Sequence, residues 1–269
     1  MTGLVLLGGM VPASAQTLTW SVVHSPNRRA GGNFLDAVSC VSATMCMATG
    51  HRLAGTGAVV TLAERWDGTS WSLVRTRNPS TIGNELVALS CASAAACMAV
   101  GFTQGGPGGP LAESWKGSRW SVLPTPNPGT GGNFLNGVSC VSPDTCTAAG
   151  EAFHSGTQTT SLIESWDGSR WSVVPSPTPG TGQTLVNGVS CSSKDACNVV
   201  GSYNNETKTL VESWDGRSWS VVPTPNPGAI DRALDGVSCV SPGFCMAAGW
   251  FLGRNSISRT LTLLGTAPG

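Results

Sequence analysis

At 269 residues the chain is long enough for one large domain or two small ones, and for a sizeable buried core. Only 11% of residues are charged, and 15 Lys and Arg balance 15 Asp and Glu. A net charge of zero attracts neither a nucleic-acid backbone nor an anionic membrane surface, so neither is expected as a partner.

The chain starts "MTGLVLLGGMVPASAQ". Residues 3–11 are a short apolar run, and Ala13-Ser14-Ala15 matches the small-x-small pattern of a secretory cleavage site. Residues 1–15 therefore read as a signal peptide, although no Lys or Arg precedes the run. Residues 16–269 then form a single exported domain. No other stretch is long and apolar enough to span a bilayer.

The next segment, "LTWSVVHSPN", looks like a lone strand. After it a motif appears five times: "AVSCVSATMCMATG", "ALSCASAAACMAVG", "GVSCVSPDTCTAAG", "GVSCSSKDACNVVG" and "GVSCVSPGFCMAAG". The first cysteines, Cys40, Cys91, Cys140, Cys191 and Cys239, are 51, 49, 51 and 48 residues apart. Between the copies lie "LAERWDGTSWSLV", "LAESWKGSRWSVL", "LIESWDGSRWSVV" and "LVESWDGRSWSVV". A period near fifty residues means one supersecondary unit per repeat.

Each unit reads as four short strands, a to d, taken here from the third. Strand a covers 135–140, b 146–153, c 161–166 and d 171–174. Asp167-Gly168 turns c into d, and Pro175, Pro177 and Pro179 stop d from continuing in a ladder. Gly (35) and Pro (17) interrupt nearly every window, and none shows helical periodicity. Four strands per repeat of this length make a β-propeller blade. The expected fold is all-β, a five-bladed β-propeller with four strands per blade. Its units lie at about 36–76, 87–125, 136–176, 187–224 and 235–264. The last lacks strand d. Residues 18–25 align with strand d, so the N-terminal strand is expected to close the last blade and remove the open edges.

The order of elements in 148–179 resembles the kelch-type propeller repeat: a strand ending in glycine, a Glu/aromatic strand, a turn and a Trp strand. The likeness covers nearly all of the chain after the leader. It departs in carrying a single glycine (Gly50, Gly101, Gly150, Gly201, Gly249), Trp in strand c, a shorter turn, and the cysteine pairs. Residues 165–171 are also similar to the Asp-box of sialidase-like propellers, one residue short. Both resemblances imply a propeller and neither implies an activity. The preference for Arg over Lys fits a GC-rich, actinobacterial-type genome.

All ten cysteines fall into Cys-x5-Cys pairs: Cys40/Cys46, Cys91/Cys97, Cys140/Cys146, Cys191/Cys197 and Cys239/Cys245. In an exported chain such pairs read as disulfides, each tying the end of strand a to the start of strand b. One pair is half of a zinc site, and the three histidines do not repeat with it, so no metal or other cofactor is expected.

The paired tryptophans recur in nearly every unit and read as packing between blades. Trp250 stands outside that pattern and is a ligand candidate. Glu64, Glu113, Glu164 and Glu212 recur at one position, and Asp67, Asp167 and Asp215 at another. A glycosidase needs two carboxylates in different environments across one substrate, which a ring of copies does not supply.

Loops b–c and d–a share the face on which the sequence varies. Just before strand a, Asp36, Val87, Asn136, Asn187 and Asp235 occupy one position and form a mostly polar ring. Asp36, Asn136, Asn187, Asp235 and Trp250 are the candidate binding residues. The expected function is a secreted, non-catalytic binding or scaffold module with a protein or carbohydrate ligand, acting as a monomer. The alternative is a lectin-like or cell-wall-binding propeller. A glycoside hydrolase using non-repeating acids such as Glu85, Glu151 or Asp231 ranks below both.

Overall fold

The computed structural model describes residues 19–28, 31–106, 108–154, 158–228, 231–253 and 256–267. The leader read at 1–15 lies outside them. The described residues form nineteen strands, and no helix is long and apolar enough to cross a membrane.

The strands fall into sequential antiparallel groups. The first holds β1 (Asn33–Ser42), β2 (Met45–Leu53), β3 (Val59–Trp66) and β4 (Trp71–Val74). The second holds β5 (Gly83–Ser93), β6 (Ala96–Gln104), β7 (Gly109–Trp115) and β8 (Trp120–Leu123). β9 (Asn133–Ser142), β10 (Thr145–Phe153), β11 (Thr159–Trp166) and β12 (Trp171–Val173) make the third. β13 (Leu185–Ser193), β14 (Ala196–Tyr203), β15 (Lys208–Trp214) and β16 (Trp219–Val221) make the fourth. The last has β17 (Arg232–Ser241), β18 (Phe244–Leu252) and β19 (Ser258–Thr266). A single parallel bridge, Val59 to Gly83, merges the first two groups into one eight-stranded sheet, so there are four sheets.

The groups pack face to face as in a β-propeller. β1 lies on β5, β5 on β9, β9 on β13 and β13 on β17. The core sits between groups. Met98, Val100 and Ala112 of the second, for example, meet Leu135, Val138 and Leu162 of the third. Apolar burial at each of these four interfaces holds neighbours together.

Two details of the repeat have local causes. In the first half of every first strand one residue is bulged out of register: Asp36, Val87, Asn136, Asn187 and Asp235 have no partner on the second strand. The bulge pushes a carbonyl oxygen against the glycine opposite. A Cβ at Gly50, Gly101, Gly150, Gly201 or Gly249 would collide with the carbonyl oxygen of Phe34, Glu85, Phe134, Leu185 or Ala233. That close approach explains the repeated glycine. The repeated Asp, in turn, builds the tight turn before the outer strand. The Asp67 carboxylate accepts hydrogen bonds from the N–H groups of Thr69 (2.8 Å) and Ser70 (2.9 Å), and Gly68 takes φ of 100°.

The N-terminal segment departs from expectation. Residues 19–28 make no strand pairing, and Trp20 and Val22 are exposed at 93% and 102%. It is tied to the first group instead, where the Ser25 hydroxyl donates to both Glu64 carboxylate oxygens. It can reach β19 only if the first and last groups meet. No packing comparable to the other four interfaces joins β17 to β1 among the described residues. Leu35 is consequently 43% exposed, whereas its counterparts Leu86, Leu135, Val186 and Leu234 are fully buried.

Candidate functional site

All five cysteine pairs are disulfides: Cys40–Cys46, Cys91–Cys97, Cys140–Cys146, Cys191–Cys197 and Cys239–Cys245, with Cα atoms 3.9 to 4.1 Å apart. Their place in the hairpin corrects the sequence expectation. The bridges do not tie a strand end to a strand start. The first strands run two residues past Cys40, Cys91, Cys140, Cys191 and Cys239, and the second strands begin one residue before Cys46, Cys97, Cys146, Cys197 and Cys245. Each bridge therefore crosses the ladder between directly opposed residues, with the turn still outside it.

The second cysteine of each pair also belongs to the packing. Cys97, Cys146 and Cys197 are buried members of the inter-group cores, while Cys46 and Cys245 are half-buried. The sulfurs of Cys46, Cys97 and Cys146 rest 3.9 to 4.0 Å from the carbonyl oxygens of Ser42, Ser93 and Ser142. A bridged sulfur carries no proton, so these are van der Waals contacts and not hydrogen bonds.

The disulfides lie at the end of the groups opposite the variable loops. The Trp66 ring N–H donating to the Ala43 carbonyl (3.0 Å) shows that the tight turns share that end. The tryptophans pair across the ladder, with Trp115 and Trp120 at 5.9 Å and Trp166 and Trp171 at 5.7 Å, all four rings buried. These residues are scaffold.

The repeated glutamates are sealed inside. Glu64, Glu113, Glu164 and Glu212 are at most 1% exposed. Burial pushes Glu113 and Glu212 up to about 7 and Glu164 to about 8, and raises Glu64. Their partners differ. Glu113 accepts the Arg77 backbone N–H (3.1 Å), and Glu212 accepts from the Ser161 hydroxyl (2.9 Å). Glu164 has no partner for either carboxylate oxygen among the described residues. The residue corresponding to Arg77 before the third group is Pro126, which has no N–H to give. None of these acids faces a site open to substrate.

At the variable end, the bulged residues Asp36 and Asn136 bond the residue that follows the repeated glycine, His51 and Glu151. That second position holds His51, Phe102, Glu151, Ser202 and Trp250. Trp250 therefore does repeat in position, though not in chemistry. It pairs in register with Ala233 and is half-buried.

Asn136 and Asn187 act as inter-blade clamps. Their side-chain amides donate to the Val186 and Leu234 carbonyls of the next group, both at 2.9 Å. Asn136 also donates to Glu151 (3.2 Å), whose carboxyl burial raises to about 7. Asp235 is exposed on the open side of the last group.

Asp36 is different. Its carboxylate lies 2.9 Å from His51 Nδ1, and Glu85 of the second group is 3.9 Å from the same nitrogen. Gln104 donates to Glu85 at 2.8 Å, and Phe34 stacks on the imidazole with ring centres 4.9 Å apart. The three titratable side chains are 17 to 32% exposed. This is a half-open polar cluster on two neighbouring units, a combination of residues that occurs once among them. Beside it the same level turns apolar, with Phe102, Phe134 and Phe153 packed edge to face. Sequence reading found Asp36 but missed His51, Glu85 and Gln104 as its partners. Aligning the residue after each repeated glycine would have found His51.

No protein-family model and no curated protein matches the chain. Among solved structures it is similar to YCF48 bound to a D1 peptide, with 12% identity over 93% of this chain and 68% of that one, at a TM-score of 0.51. It is also similar to a protein of unknown function from Dyadobacter fermentans, with 10% identity over 91% and 98% and a TM-score of 0.54. A fungal lectin, the six-bladed β-propeller of Aleuria aurantia with its fucose recognition mode, aligns at 11% identity over 86% and 77%, with a TM-score of 0.49. At such identities the likeness concerns the fold alone, and no ligand transfers with it.

Proposed function

We propose that the chain is a secreted, disulfide-stapled propeller of kelch type that binds a ligand without transforming it. Its complete form has five blades, the last finished by the N-terminal strand. The single observation that carries the binding reading is the Asp36–His51–Glu85–Gln104 cluster. It brings a combination of side chains found once among the units to the end of the scaffold where the loops vary. The repeated acids, by contrast, are buried with no room for substrate.

The test has two arms. Purified protein is applied to a glycan array and to an immobilised peptide library, with His51→Ala as the comparison. Retention of one ligand class that is lost in His51→Ala supports the reading. A panel of chromogenic glycosides is run in parallel, and turnover of any of them overturns it.

The lectin-like reading is favoured by Trp250, which is half-buried at the same level as His51. Retention on glycans lost in Trp250→Ala, with His51→Ala unaffected, selects it.

A further inference from the structure

A cleft of about 840 Å³ opens along residues 73–79 beside the first group. Four arginines line it: Arg28, Arg52, Arg75 and Arg77. The whole chain has twelve, since three of its 15 basic residues are Lys. No acidic side chain lines the cleft, and none of the four arginines forms an ion pair among the described residues. Arg77 has one acid near it, Glu113, but that carboxyl is buried behind the wall and bonds the Arg77 backbone N–H.

The four arginines are departures from the repeat. Arg75 and Arg77 stand where the later linkers have Pro124 and Pro126, Pro175 and Pro177, and Pro223 and Pro225. Arg28 stands where those linkers and the first have Pro79, Pro128, Pro179 and Pro227. Arg52 corresponds to Thr103, Ala152, Tyr203 and Phe251. Structure shared by all units therefore does not need these cations. Three of them are exposed and the fourth is half-buried, so the guanidinium groups are available to a ligand.

The rest of the lining says what kind of anion fits. Leu62, Leu73, Val74 and Val122 give the floor an apolar strip, and no aromatic ring is present for a sugar to stack on. β4 pairs with β3 alone, leaving its other edge without a partner strand among the described residues. An unpaired edge, an apolar strip and convergent arginines are the parts used when an extended chain adds to a sheet and its acidic side chains meet bidentate donors.

We propose that this cleft binds an extended acidic peptide, laid along the β4 edge with its carboxylates on Arg28, Arg52, Arg75 and Arg77. The inference rests on the reading of the chain as a binding module and names the partner's chemistry.

The test uses fluorescence anisotropy with labelled hexaglutamate, hexalysine and a neutral hexapeptide as probes, and oligogalacturonate and inorganic phosphate as competitors. The key variant is Arg75→Gln/Arg77→Gln, which removes both cations and keeps the Arg77 backbone N–H that the buried Glu113 accepts. Arg52→Gln is a second variant, away from the linker. Hexaglutamate is expected to bind, to weaken about tenfold or more between low and moderate salt, and to lose about tenfold in either variant. Hexaglutamate binding no better than the neutral peptide, or equally well to both variants, overturns the inference. So does oligogalacturonate or phosphate binding in its absence. Those failures leave the binding-module reading standing, because only glycoside turnover overturns that.

Discussion

The Ser139 hydroxyl accepts a hydrogen bond from the backbone N–H of Cys191, 52 residues further on, at 3.0 Å. The same bond joins Ser39 to Cys91, Ser90 to Cys140, and Ser190 to Cys239, each at 3.0 Å. The repeated Ser-Cys dipeptide thus works twice. Its cysteine staples one unit, and its serine holds the next. Ser139→Ala leaves the Cys191 N–H without its partner, with a cost of about 1–2 kcal/mol in urea unfolding. Ser238 makes no such bond among the described residues, and closure of the ring would bring the Cys40 N–H to it.

Gly150→Ala is expected to be far more damaging than its one added carbon suggests. The new Cβ would run into the Phe134 carbonyl, which the Asn136 bulge holds in place. The loss is about 2–3 kcal/mol, since both strands are fixed by their ladders. Gly236→Ala is the control, because a Cβ there meets nothing within 4 Å.

Glu164 gives the fold a pH dependence of unusual sign for a carboxylate. Burial raises it from 4.5 to about 8, so the folded protein holds this proton more tightly than the unfolded chain. Stability is therefore highest below the unfolded value and falls as pH climbs from 4.5 through 8. Glu164→Leu removes the cost. The last unit already carries Leu263 at this position, facing a linker with Pro225. The variant is expected to gain about 2–4 kcal/mol at about pH 8 and to show a flatter stability profile between about pH 5 and 8. A variant less stable than the parent at the upper end of that range contradicts this account.

The proposed ring closure has a specific register. Leu263 pairs with Ala247 as Glu64 pairs with Ala48, and Glu64 in turn faces Leu73. Val22 is the counterpart of Leu73, so closure places Val22 opposite Leu263, and Trp20 opposite Gly265. It would cover the exposed Leu35, Val38, Val240 and Met246. The double variant Val22→Cys/Leu263→Cys is expected to form a new bridge between the two added cysteines, read by peptide mapping without reduction. A bridge that never forms under oxidising conditions contradicts the closed ring.

The repeat carried most of the fold. Strand order, turn position and the cysteine pairing were legible because each follows from residues within one unit of about fifty. The strand limits around Cys46, Cys97 and Cys146 were less so, because the flanking serines and small residues pair through their backbones and leave no side-chain pattern. The turn-forming aspartates were legible because their contacts are local to one hairpin, and the paired tryptophans because they recur in the cores between units. Asp36 was visible as one member of a polar ring. Its partner His51 was not, because the bulge that turns Asp36 toward it is a register shift between two strands, with no mark of its own in composition.

What the chain by itself determined is therefore the unit: four strands, a staple, a repeated glycine and a repeated acid. Tertiary structure decided what the units do to one another. It showed that Asn136 and Asn187 bridge neighbouring units, while Asp36 gathers His51 and Glu85 from two of them. It also placed Arg28 and Arg52 beside Arg75 and Arg77, drawn from three separate stretches of chain. Such contacts depend on how twisted sheets stack, and that geometry is set by burial summed over whole interfaces, which no single repeat encodes.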